Sequence, residues 1–229
     1  MEPAAPLDLA LSGADLSGID PPDPARLAGL HRRAAVGAAL QVLYPAFAVL
    51  AFGGIHLGLA EPESLAILVG EAVTSLVGLV AFLYWFFGAY RLAGDLSPYP
   101  LDTTPGWSVA QFFIPIVSLF MPYQRMREVE DVNAAGARGS LLDEPRGSQI
   151  VAGWWAAWVL STVVGVAVGS VGDVAAGGTP ALAIAALVVG AAAVSSATTA
   201  LVALHVDAGQ QAFAEALWEA EPLAPEAGL

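Results

Sequence analysis

The chain contains no cysteine and no lysine. The first absence removes any disulfide framework, any thiolate nucleophile and any cysteine-based metal site. Charge of either sign is scarce: 13% of the 229 residues are charged, 57% are hydrophobic, and the mean hydropathy is +0.67. A soluble globule of this length needs more polar surface, so the composition places the chain in the membrane class. The balance is acidic, with 21 Asp and Glu against 8 basic residues, all Arg, and a formal net charge of −13. A polyanion is repelled by such a chain, and no basic stripe with interleaved aromatics offsets this, which sets nucleic acid aside.

Catalytic patterns are missing as well. The three histidines stand far apart, with no i,i+4 pair and no HExxH, so no metal is expected. The stretch "VGSVG", Val168 to Gly172, is one residue off a nucleophile elbow. There is no Walker loop, no dinucleotide fingerprint and no acid/base carboxylate pair. The expectation is a protein that is not an enzyme and takes no cofactor.

What is present is four long apolar runs. Crossing about 30 Å of hydrocarbon takes about 20 residues at 1.5 Å each. Runs at about 34–59, 65–90, 150–171 and 181–206 meet that length. Arginine orients them: Arg26, Arg32 and Arg33 precede the first, and Arg91, Arg125, Arg127, Arg138 and Arg146 lie between the second and third. The other two connections hold no Arg, so the positive-inside rule puts both termini and the central loop in the cytoplasm.

Between the second and third runs stands "TPGWSVAQFFIPIVSLFMPYQRMREVE", Thr104 to Glu130. Its apolar part, 107–121, reaches only about 22 Å and is interrupted by Pro115. Were it to span, the arginines after it would lie outside. We therefore expect a Pro-kinked re-entrant or interfacial helix on the cytoplasmic side, followed by an amphipathic cytoplasmic helix over 122–134 that stops near Asn133 to Gly136. Residues 1–23 read as a disordered acidic tail without a signal peptide, 24–206 as the four-helix membrane domain, and 207–229 as an acidic tail with a short helix that packs on protein. The fold class is thus all-α integral membrane.

The strings "FLYWFFGAYRLAG" (Phe82 to Gly94), "PGWSVAQFFIPIVSLFMPYQRMREV" (Pro105 to Val129) and "GWWAAWVLS" (Gly153 to Ser161) resemble a bacterial multi-span membrane family designated domain of unknown function 4328. The resemblance runs from about Leu65 to Leu204. Trp85, Ala89, Tyr90 and Arg91 fit the family's aromatic end of the second span. Pro105, Gly106 and Trp107 fit its P-G-W turn, Phe113 and Pro115 its F-x-P segment, Pro122, Tyr123, Gln124 and Glu128 its P-Y-Q-x-x-x-E start, and Trp154 with Trp155 its W-W opening. Gly88, Leu92 and Met121 depart from the family, which usually has Arg, Asn and a basic residue there. The resemblance implies a multi-pass protein of the bacterial inner membrane and brings no known activity.

Two sets of candidate residues follow. Trp85, Tyr90, Arg91, Trp107, Tyr123, Arg125, Arg127, Trp154 and Trp155 concentrate where a partner or a lipid headgroup would dock, or where an aromatic belt only sets helix depth. Glu71 is the deepest intramembrane charge; in a hairpin turning near Glu61 and Pro62 it lies opposite Phe52 to Gly54, with His56 one turn away, as a transport candidate. The expected function is a non-catalytic membrane accessory, scaffold or regulatory subunit, working with a membrane protein partner or as a homo-oligomer in the bilayer. The competing class is a small transporter or channel with Glu71 as its coupling carboxylate.

Overall fold

The computed structural model describes residues 19–59, 64–97, 100–137, 148–170 and 179–220. Among these there are helices and turns and no strand. The expectations for 1–18, for the two short outer turns, for the loop carrying Arg138 and Arg146, and for 221–229 lie outside the described residues.

The helices are α1 (Pro24–Leu40), α2 (Leu43–His56), α3 (Leu65–Leu96), α4 (Pro105–Ala110), α5 (Met121–Ala137), α6 (Gln149–Ser170) and α7 (Thr179–Ala220). Four stretches are long and apolar enough to cross a bilayer: Pro24–Ile55, Leu65–Leu96, Gln149–Val168 and Ala186–Glu219. Their outward surface is that of a lipid-facing protein, since large aliphatics such as Leu50 (74% exposed) and Val166 (65%) stand uncovered. This is the architecture of a multi-pass membrane protein.

Local chemistry explains the helix ends. Asp23 accepts the Ala25 amide at 2.9 Å and Pro24 occupies the first helical position, where its missing N–H costs nothing. The first apolar run is not one helix but two, α1 and α2, parted at Gln41 and Val42. Pro45 accounts for the break: it has no N–H to give the Gln41 carbonyl, and its ring crowds that carbonyl. At the far end of α2, Gly58 takes φ +67°, the Gly58 amide reaches the Ile55 carbonyl at 3.0 Å, and the Leu59 amide reaches that of Gly54 at 2.8 Å. This is a Schellman cap, which needs a residue free to be left-handed. Gly58 therefore serves the turn.

Two helices outrun the bilayer. At 1.5 Å per residue the 32 residues of α3 extend about 48 Å and the 42 of α7 about 63 Å. The run expected to close at Tyr90 continues to Leu96. The span expected to end at Val206 and the short helix expected after it form one uninterrupted helix to Ala220. No proline or glycine pair interrupts Val206 to Ala220, so propensity carries the helix on.

The residues group into two compact units, Arg32–Trp85 with Gln149–Leu204, and Met1–His31 with Phe86–Ser148 and His205–Leu229. The first, the apolar unit, is pinned by polar contacts between its helices. The Gln41 amide donates to the Gly78 carbonyl at 2.9 Å, and the Trp154 indole donates to the Thr199 hydroxyl at 3.1 Å. Phe82 stacks at a tilt against both Trp85 and Trp154, 5.7 and 5.8 Å between centroids. A methyl group added at Gly70 would overlap the end of the Phe47 ring, so a side chain at that point would require the ring to move. By contrast, among the described residues nothing lies within 4 Å of a Cβ built at Gly165 or Gly190.

In the second unit the expected apolar stripe of α5 is only partly the buried one. Met126 and Val129 are fully buried, but they share that face with Arg125, Glu130 and Asn133. The helix runs on through Gly136 to Ala137, and Gly136 lies under Phe213 of α7, where any Cβ would enter the ring. The glycine read as a stop signal is thus a point of close approach.

Candidate functional site

Among the described residues, the second unit holds the ion pairs of Arg26, His31, Arg125 and His205, and side-chain hydrogen bonds between residues far apart in sequence. Thr104 caps α4 by accepting the Trp107 amide at 3.3 Å, with Pro105 as first helical residue. From there the chain runs through short 3-10 turns at Gln111–Phe113 and Val117–Leu119 in place of the expected helix over 107–121. Ile114 is extended, as a residue before proline prefers, and Ile116 sits at φ 65°, ψ −54°, with the Val117 amide bonded to the Pro115 carbonyl at 2.6 Å. That is a γ-turn of the rare strained hand, carried by a β-branched residue. Polarity along this segment is inverted: Ser108 and Gln111 are buried, while Trp107, Phe113, Ile116 and Phe120 are all more than half exposed.

Beside it, α5 and the end of α3 build a charged network. The Tyr90 hydroxyl donates to Glu128 Oε2 at 2.6 Å, and Arg125 Nη1 bonds Glu128 Oε1 at 2.5 Å and Asp102 Oδ2 at 3.1 Å. The Arg125 side chain is 8% exposed and that of Glu128 20%, whereas Asp102 faces solvent at 74%. Burial raises the Glu128 carboxyl above the ordinary glutamate range, against the opposing bonds from Tyr90 and Arg125. Asp102 is lowered, first by its hydrogen bond with Glu128 and then by Arg125. Burial works against the charge of Arg125, and its bonds to Glu128, Tyr90 and Asp102 outweigh that and raise it.

The extension of α7 closes the unit. Glu130 meets His205 Nε2 at 2.9 Å, the Asn133 amide donates to the Val206 carbonyl at 3.1 Å, and the Gln210 amide donates to that of Ala89 at 2.8 Å. Asp207, 2% exposed, lies 2.6 Å from His31 Nδ1 and accepts from Gln211 at 2.7 Å. In sequence, His205 and Asp207 stand at the end of the fourth apolar run. Their partners stand 75 and 176 residues away, and no local pattern announces them.

The residues expected to form one docking surface part company. Trp85 and Trp154 are 1% and 2% exposed and belong to the aromatic packing of the apolar unit; Tyr90 and Arg125 are buried in the network. These four are spent on the fold, because their rings and charge find partners inside it. Trp155 is half-buried, and Arg127 lies over the Tyr123 ring at 5.9 Å. Trp107 and Arg91 remain outward, Arg91 in a groove of about 460 Å³ walled by Tyr90, Asp95, Leu101 and Pro105.

Glu71 is partly exposed. The pairings of Gly37 with Ala81, Gln41 with Gly78 and Phe47 with Gly70 set the register of this hairpin, and they place Glu71 near Phe47, with the Tyr44 phenol in electrostatic reach. The expected position opposite Phe52 to Gly54 is therefore displaced by more than a turn. The cause is the glycine cap, which ends α2 before Glu61 and Pro62. The side chain of His56 lies outside what the structure describes. The Thr74 hydroxyl bonds the backbone carbonyls of Gly70 and Glu71 at 2.8 and 3.2 Å.

Residues 57–208 match the family model described as Domain of unknown function (DUF4328). Comparison with curated proteins and with solved structures returns no match.

Proposed function

This chain belongs to the DUF4328 family, and from that premise we propose that it is a non-catalytic accessory or scaffold subunit of the bacterial inner membrane, with both termini cytoplasmic. One observation carries this reading. The buried ionisable groups of the second unit, Arg125, Glu128, Glu130 and Asp207, are engaged with one another or with fixed neighbours, which suits a rigid platform rather than a moving ion path. The arginine-poor outer connections support the orientation. The inverted polarity of 107–120 supports its placement at the cytoplasmic interface, with Trp107, Phe113, Ile116 and Phe120 in lipid and Ser108 and Gln111 against protein.

Affinity isolation of the tagged protein from its own membranes in a mild detergent tests this. A reproducible stoichiometric partner is the expected result; recovery of the chain alone, or only with copies of itself, refutes the accessory role.

A second reading has its own observation, the Glu71 carboxylate near Tyr44 within a helix long and apolar enough to cross a bilayer. A carrier built on it loses flux, or the pH dependence of flux, on Glu71→Gln, whereas a scaffold assembles unchanged. Orientation is checked with Ser140→Cys, which resists a membrane-impermeant thiol reagent in intact cells if the central loop is cytoplasmic. Gly136 is unsuited to this probe because its position is filled by Phe213.

A further inference from the structure

We infer that the groove beside Arg91 is a binding site for the phosphate of an anionic phospholipid. The inference rests on the interfacial placement proposed above and not on the accessory role. Arg91 occupies the last turns of α3, where a bilayer-crossing helix gives way to the polar unit. Its guanidinium is exposed, and among the described residues it enters no ion pair.

The neighbouring charges are already matched. Asp95, which shares the groove, is held by Arg26 at 2.5 Å, and Asp102 is directed at Arg125. Arg91 is the groove's uncompensated charge, and its planar fork of donors suits two phosphate oxygens at once. Among the described residues, a Cβ built at Gly106 meets nothing within 4 Å.

The rest of the surface selects among anions. The groove is lined by Phe87, 38% exposed, and ends at Gly106, which Trp107, 53% exposed, follows in the chain, with Phe113, Ile116 and Phe120 further along the same segment. Free phosphate has no use for that apolar edge. A phospholipid satisfies both parts, the phosphate on Arg91 and the acyl chains along Phe87 and Trp107.

The test uses the full chain reconstituted in nanodiscs of equal phosphatidylglycerol and phosphatidylcholine, then released in mild detergent, with the retained lipid extracted and counted. The wild type is expected to retain phosphatidylglycerol preferentially, and Arg91→Gln to lose that preference by about tenfold, as removal of a charge-assisted bond implies. Arg32→Gln, at another exposed arginine, is expected to keep it, and an unchanged thermal midpoint in both shows that the fold is intact. Equal retention of the two lipids by wild type, an unaltered preference in Arg91→Gln, or an equal loss in Arg32→Gln each overturns the site. Displacement of the lipid by inorganic phosphate at millimolar concentration overturns the lipid assignment. Partner recovery from native membranes, measured in parallel for wild type and Arg91→Gln, separates the two readings: a partner retained by Arg91→Gln while its lipid preference vanishes supports the site, and no partner with the wild-type preference intact refutes only the accessory role.

Discussion

The Arg125–Glu128 pair offers the sharpest check on how the polar unit is held. Both side chains are largely withdrawn from solvent, at 8% and 20% exposure, and Glu128 also receives the Tyr90 hydroxyl. Removing one partner of a buried pair costs about 3–5 kcal/mol when burial is complete, and the residual exposure of Glu128 puts this case near the lower figure. For a chain of this size roughly 2–4 °C of thermal midpoint corresponds to each kcal/mol, so Arg125→Met is expected to lower the midpoint by roughly 6–12 °C. Glu128→Leu is expected to cost a similar amount, since it leaves Arg125 charged and the Tyr90 hydroxyl without its acceptor.

The double variant decides the matter. With neither charge present the desolvation penalty is not incurred, and the combined loss falls short of the sum by about 2 kcal/mol. Unfolding in a mild detergent, followed by circular dichroism, measures all four proteins under one condition. A midpoint drop under about 2 °C for Arg125→Met, or strict additivity in the double variant, refutes the view that this pair organises the unit.

The same network predicts opposed pH slopes. The folded Glu128 pKa is raised, so its contribution to stability is complete below the unfolded value and is lost as pH rises through the folded one; the penalty of Glu128→Gln is then largest in acid and shrinks toward neutrality. Asp102 is lowered, so the penalty of Asp102→Asn is absent in acid and grows as pH rises through the ordinary aspartate range, and midpoints measured from pH 3.5 to 7.5 show the two trends crossing. Gly136→Ala drives a methyl group into the Phe213 ring and is expected to cost about 1–3 kcal/mol, recovered in part by Phe213→Leu; equal midpoints for Gly136→Ala and wild type refute the close approach. Gly58→Ala places a side chain at φ +67° and is expected to cost about 1–2 kcal/mol without altering helix content, which circular dichroism reports.

Much of the architecture is a local property of the chain, and the sequence by itself determined it. A bilayer demands that every backbone group be satisfied within its own segment, so about 20 apolar residues in a row suffice to announce a crossing. The four runs are legible for that reason. So is the special character of 104–130, where Thr104 and Pro105 start a helix and Ile114 turns extended before Pro115. The motif strings running through Trp85, Trp107 and Tyr123 already marked the family.

Tertiary structure alone decided what those residues do. The partner of Asp207 is His31, that of Glu130 is His205, and the groove of Arg91 takes shape only when α3 meets the segment after Leu101. The hairpin register of Glu71 shifted because the glycine cap, not the proline after it, ends α2. Among aromatics of equal hydrophobicity, burial separates Trp85 and Trp154 from Trp107. The bilayer reads each segment one at a time, whereas the pairing of buried charge and the choice of exposed ring depend on side chains brought together across as many as 176 residues of chain.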